Sequence, residues 1–246
     1  MKRSIVTLTI LTLSLSTAAW AGAKNPTPAS KAEALRLEEK ADQERLQKDY
    51  PSAFADYLSA SHLDPRSATL FNKMGIIRIQ LRDRTGAKRY LKHALSLSPK
   101  DTQVLNNLGA VFYLDKNYQQ ALRYLKESLA LNETSATCHL NIAEVWASLG
   151  QLDRAMTEYA RALELDSDIL TSAQDGVVAQ VRTPEQKARI SFLIAKAYVR
   201  RGNLDGAIDY LQRAKQGHFP DLHKAWEDKD FAPLWSDPRL EKIIKR

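Results

Sequence analysis

The chain has 246 residues, 44 % hydrophobic and 26 % charged, with a formal charge of +7. This is an ordinary globular composition with ample length to bury a core. Gly and Pro number only nine each, which counts against an all-β or low-complexity chain, and a single cysteine, Cys138, excludes an internal disulfide.

In chain order, Met1-Lys2-Arg3 is a short basic start and residues 5–16 (IVTLTILTLSLS) are uncharged and largely apolar. Ala19-Trp20-Ala21 and Ala21-Gly22-Ala23 each offer a small-x-small cleavage site. Residues 1–23 therefore read as a secretory signal peptide, too short in its apolar run to span a bilayer comfortably. An uncleaved N-terminal anchor is the alternative. Cleavage lowers the formal charge from +7 to +5 and leaves a mature chain with no integral membrane span. The expected location is periplasmic, with secretion as the alternative.

Residues 24–33 form a lead-in. Asn25-Pro26-Thr27-Pro28-Ala29 reads as flexible, and Ser30-Lys31-Ala32-Glu33 as a capping box that starts a helix over 31–48.

Beyond this point small residues recur on a fixed register. Ala41, Gly75, Gly109 and Ala143 lie 34 residues apart, as do Ala53, Ala87, Ala121 and Ala155, and Ala60, Ala94, Ser128 and Ala162. Ala195, Ala207 and Ala214 repeat the internal spacings of 12 and 7 after an offset of 52. Ala, Ser and Gly make up under a quarter of the chain, so composition does not produce this pattern. Paired antiparallel helices explain it, because small residues at a crossing let two backbones approach. Large residues recur beside them at the twenty-fourth position of each unit: Tyr57, Leu91, Leu125, Tyr159 and Leu211. Pro65 and Pro99 end the second helices of the first two units.

The third unit reads Leu105-x-x-Leu108-Gly109-x-x-Phe112, then Tyr118-x-x-Ala121-x-x-x-Leu125-x-x-Ser128; the fourth reads Ile142-Ala143-x-x-Trp146, then Leu152-x-x-Ala155-x-x-x-Tyr159-x-x-Ala162. This pattern resembles the tetratricopeptide repeat (TPR) family. The resemblance implies an all-α, right-handed α-solenoid of about five antiparallel helix pairs. Units 1–4 cover 34–167, an insertion 168–187, the fifth unit 188–217 and a helical C-terminal cap 218–246. Lys40, Glu44 and Arg78 depart from the family's apolar positions; the first two mark the first unit as a degenerate cap.

The resemblance also implies a function: a non-catalytic protein–protein interaction scaffold whose first helices line a concave groove for a peptide or protein. The groove positions give Asn72, Lys73 and Gln80, then Asn106, Asn107, Tyr113 and Leu114, then Asn141, Glu144 and Ser148. Asparagine amides can pair with a peptide backbone through both donors and acceptor, or simply be solvated. The carboxylate-clamp version is not matched, since Ile76 and Ala110 stand where it needs asparagine. The alternative is an assembly subunit of an envelope machine, of secretion or pilus type, that uses its convex face or cap.

The insertion, with its Gly176-Val177-Val178 run, reads as a covered loop or as a lip over one end of the groove. Thr183-Pro184 restarts a helix. In the tail, Trp226, Phe231, Leu234, Trp235, Leu240 and Ile243 are placed to cover the last unit. No phosphate loop, zinc spacing, nucleophile elbow or reactive-cysteine context occurs, so no enzyme activity, cofactor or metal is expected. Cys138 beside His139 reads as a buried thiol, because neighbouring helical residues point about 100° apart. The basic cluster Arg78, Arg82, Arg84, Lys88, Arg89 and Lys92 reads as a solvated face or a weak attraction to anionic lipid or polymer. Nucleic acid is not expected as a partner of an exported chain.

Overall fold

The computed structural model describes residues 25–166, 169 and 184–245. The expected signal peptide and most of the insertion lie outside these residues, and so do both readings of the insertion. Among the described residues there is no strand. Five helix pairs follow one another: α1 (Pro28–Leu46) with α2 (Tyr50–Leu63), α3 (Ala68–Gln80) with α4 (Arg84–Leu97), α5 (Thr102–Leu114) with α6 (Tyr118–Leu131), α7 (Ala136–Ser148) with α8 (Leu152–Leu165), and α9 (Pro184–Arg200) with α10 (Leu204–Gln216). Each second helix packs on the next first helix, and α5 also touches α3 and α7. These contacts between first helices draw them to the inner, concave side of the solenoid.

One residue in each unit makes the turn between the paired helices. Lys48, Arg82, Lys116, Gly150 and Gly202 all hold φ between 59° and 75°. The first four are 34 residues apart. The next residue's N–H then reaches back five residues to a carbonyl of the first helix, as in Asp83 to Arg78 at 2.8 Å and Asn117 to Phe112 at 2.9 Å, a Schellman closure. That same residue caps the second helix. The side chains of Asp49, Asp83, Asn117 and Asn203 accept from the N–H three residues on. Only glycine holds this left-handed turn without strain, and three units hold it with Lys or Arg.

All fifteen small positions are buried. A Cβ at Gly75 would lie 2.6 Å from Leu91 Cγ, and one at Gly109 2.5 Å from Leu125 Cγ. The two glycines therefore exist because a leucine branch point fills the space at the crossing. Where the small residue is Ala41 or Ala143, its partner is the flat ring of Tyr57 or Tyr159, and the residue after the alanine is acidic. Tyr57 donates its hydroxyl to Asp42 at 2.5 Å and Tyr159 to Glu144 at 2.6 Å. Units 1 and 4 thus share an Ala-acid…Tyr crossing, and units 2 and 3 a Gly-apolar…Leu crossing. Ser128 is serine rather than alanine because its hydroxyl donates to the Thr102 carbonyl at 2.8 Å.

Arg78, out of place by the family pattern, is matched across the unit boundary. Its guanidinium lies 3.9 Å over the Phe54 ring, while one unit later Lys88 lies 5.5 Å over Phe112. The cation and the aromatic have exchanged partners, which keeps a contact worth about 0.5–1 kcal/mol.

The N-terminal start differs from the expected capping box. The helix begins at Pro28, Thr27 is the cap and accepts from the Ser30 N–H at 3.1 Å, and Glu33 pairs with Arg36 instead. Pro28 sits at the first helical position, where its missing N–H has no partner to lose. At the other end the cap is helical only in part: two 3₁₀ segments, Leu222–Trp226 and Lys229–Leu234, precede α11 (Pro238–Ile243). Phe231, Leu234 and Leu240 are fully buried against α9 and α10, whereas Trp235 stays 39 % exposed and donates its indole N–H to the Ala225 carbonyl at 2.9 Å.

Candidate functional site

The four predicted groove asparagines meet in two pairs. Asn107 donates its amide to Asn72 Oδ1, and Asn141 donates to Asn106 Oδ1, both at 2.9 Å. They are only 5–9 % exposed, so they form the floor of the inner face and use part of their hydrogen-bonding capacity on each other. Because Asn106 and Asn107 are adjacent, unit 3 is tied by one side-chain hydrogen bond to each neighbour.

Lys73 is held by Glu38 and Asp42, each at 2.6 Å. With the Tyr57 hydroxyl on Asp42, this joins α1, α2 and α3 in one polar network. Burial, with the Asp42 contact second, holds the Tyr57 phenol above its ordinary range. Glu144 is a correction to the sequence reading. It is 2 % exposed and accepts from Tyr159, so it faces the crossing and not a partner. The signal was the Ala-acid…Tyr spacing, which only the shared arrangement of units 1 and 4 makes readable. Gln80 is half-buried at the end of α3.

Tyr113 is placed differently. Its hydroxyl lies 3.1 Å from Ser148 Oγ, and both residues line an open cavity of about 360 Å³. The cavity is bounded by α5, the end of α7 and the start of α9, with Leu149, Arg189, Ile190 and Leu193 completing its wall. Sequence reasoning missed Arg189, because the insertion breaks the register before α9. Leu193 stands at the position occupied by Asn107 and Asn141 in the preceding units. The asparagine floor therefore turns apolar at the last unit.

Cys138 and His139 are held in structural contacts. Cys138 is buried, donates to the Leu125 carbonyl at 3.2 Å, and burial pushes its thiol up to about 11. His139 bridges Glu158 at 2.6 Å and the Glu133 carbonyl at 3.3 Å. Among the described residues no cluster of His, Cys, Asp or Glu could hold a metal ion, and no helix is long and apolar enough to cross a membrane.

Tetratricopeptide repeat family models match residues 68–101, 100–175 and 175–221, together well over half of the chain. The chain belongs to the tetratricopeptide repeat family. The matched span begins at the second unit, and the departures Lys40 and Glu44 fall in the first. Among solved structures, PilF of Pseudomonas aeruginosa has a TM-score of 0.58 at 18 % identity, covering 83 % of this chain and 89 % of its own. A TPR protein from Thermus thermophilus has a TM-score of 0.55 at 20 % identity, with coverages of 77 % and 93 %. MamA from Desulfovibrio magneticus has a TM-score of 0.53 at 16 % identity, with coverages of 76 % and 95 %. At these identities the likeness shows the TPR solenoid fold and nothing finer. No curated protein matches the chain.

Proposed function

We propose that this TPR chain is a non-catalytic scaffold of the cell envelope that receives a segment of a partner protein on its concave face. One observation carries the reading. The first helices, already fixed by amide pairs and buried crossings, leave an open cavity beside Tyr113 instead of closing over it. A preformed surface of this kind lowers the ordering cost of capturing a flexible segment. The basic start, apolar run and small-x-small sites of residues 1–23 support export to the periplasm. Mass spectrometry of the mature N-terminus tests that part, with cleavage after Ala21 or Ala23 as the expected result.

Site-specific photocrosslinking in the native host tests the groove. A crosslinking amino acid at Gln80, Tyr113 or Leu149 reports on the inner face, and one at Lys92, Lys126 or Trp235 on the outer helices and tail. A partner band from the inner positions alone supports the groove. A band from Trp235 or from the outer positions alone supports the assembly-subunit alternative, which the exposed Trp235 of the cap favours.

A further inference from the structure

The cavity beside Tyr113 has a composition that restricts what it can hold. Its wall is mainly apolar, formed by Ala147, Leu149, Ile190 and Leu193, and its rim carries two hydroxyls and one guanidinium. Two half-buried lysines of the first helices are neutralised from within: Lys73 by Glu38 and Asp42, and Lys196 by Asp228 and Asp230 at 2.7 and 2.8 Å. Arg189 differs. It is exposed on the rim and has no carboxylate partner among the described residues. An apolar recess roomy enough for a leucine-sized side chain, with one guanidinium at its edge that no described carboxylate contacts, complements an apolar group flanked by an anion.

We infer that the cavity takes an aliphatic side chain of the partner segment while Arg189 pairs with a carboxylate next to it, so that the groove selects acidic, leucine-type peptides. This rests on the concave-face reading above and adds the chemical class of the segment. The planar guanidinium can grip a carboxylate through two parallel hydrogen bonds, which a lysine in the same place cannot do. Tyr113 and Ser148, already joined at 3.1 Å, line the same cavity and offer hydroxyls to the segment's backbone.

Fluorescence anisotropy with four labelled peptides tests the inference on the full mature chain. GSELELSG, GSKLKLSG and GSQLQLSG carry amidated C-termini. The fourth, GSGSGQL with a free terminus, separates a chain-end carboxylate from a side-chain one. The expected result is tighter binding of a carboxylate-bearing peptide, by about tenfold over the lysine peptide. Arg189→Gln should reduce that ratio to about twofold, and Arg189→Glu should invert it. Arg189 is exposed, so neither change threatens folding, and circular dichroism of each variant checks this. Equal affinity for all four peptides, binding to none, or a preference unchanged in Arg189→Glu overturns the inference. Partner crosslinking at Tyr113 combined with any of those results retains the groove and removes only its acidic selectivity. Loss of crosslinking at Tyr113 removes the groove itself.

Discussion

Gly109→Ala tests the packing argument at its tightest point. The added methyl would sit 2.5 Å from Leu125 Cγ, 2.7 Å from its Cδ2 and 3.3 Å from the Ala121 carbonyl oxygen, where carbon–carbon contacts normally settle near 3.5–4.0 Å. Cγ is the branch point of the leucine, so turning its methyl groups does not clear the way. Two effects oppose each other. Alanine is worth about 0.8–1.0 kcal/mol more than glycine in a helix interior, while overpacking a filled core costs about 1–3 kcal/mol. The net expectation is a loss of about 1 kcal/mol. In a Leu125→Ala background the obstruction is gone, and the same change should instead gain about 1 kcal/mol, a coupling of about 2 kcal/mol. Urea unfolding of the protein followed by far-UV circular dichroism measures all four corners of this cycle. Gly75 and Leu91 provide a second instance, with a closest approach of 2.6 Å. If Gly109→Ala proves stabilising with Leu125 intact, the helices do not cross as closely as described and the account of the small-residue register is wrong.

Three further expectations follow from the same geometry. At the interhelical turn, Lys116→Gly should stabilise the array by about 0.5–1 kcal/mol and Gly150→Lys should destabilise it by a similar amount, read from the urea midpoint. The Cys138 thiol, pushed by burial up to about 11, should react slowly with a disulfide reagent at pH 8 in the folded chain and at an ordinary rate in urea. Fast labelling without denaturant would contradict its burial. In the tail, burial alone would raise Asp230, but its contacts with Lys196 and Arg200 prevail and hold it below the usual carboxylate range. Its contribution to docking the cap is therefore present above about pH 4 and is lost as the pH falls through its lowered folded value. Tryptophan emission should shift red in that acid window, and Asp230→Asn should flatten the change.

The register was readable because it is a local consequence of helix crossing. Fifteen small positions at fixed spacing state where backbones touch, and every one of them is buried. What the one-dimensional pattern hides is which side a polar residue faces. Glu144 and Asn141 are three residues apart on one helix, yet one bonds to Tyr159 of the next helix and the other to Asn106 of the preceding unit. Only the partner decides, and partners lie 15 and 35 residues away. The helix start differs for another reason: Pro28 after Thr27 resembles part of a flexible stretch, although that order is itself a start signal. The tail's apolar residues point to a helical cover for the last unit, but the kind of helix is not legible in them: Pro233 and short polar spacers leave room mostly for 3₁₀ turns.

The pairing of adjacent asparagines has a mechanical consequence. Asn106 reaches forward to Asn141 and Asn107 reaches back to Asn72, so the two bonds diverge from one turn of α5. Traction applied at the two termini would strip units from the outside inward, and the middle unit, clasped from both directions, would be the last to yield.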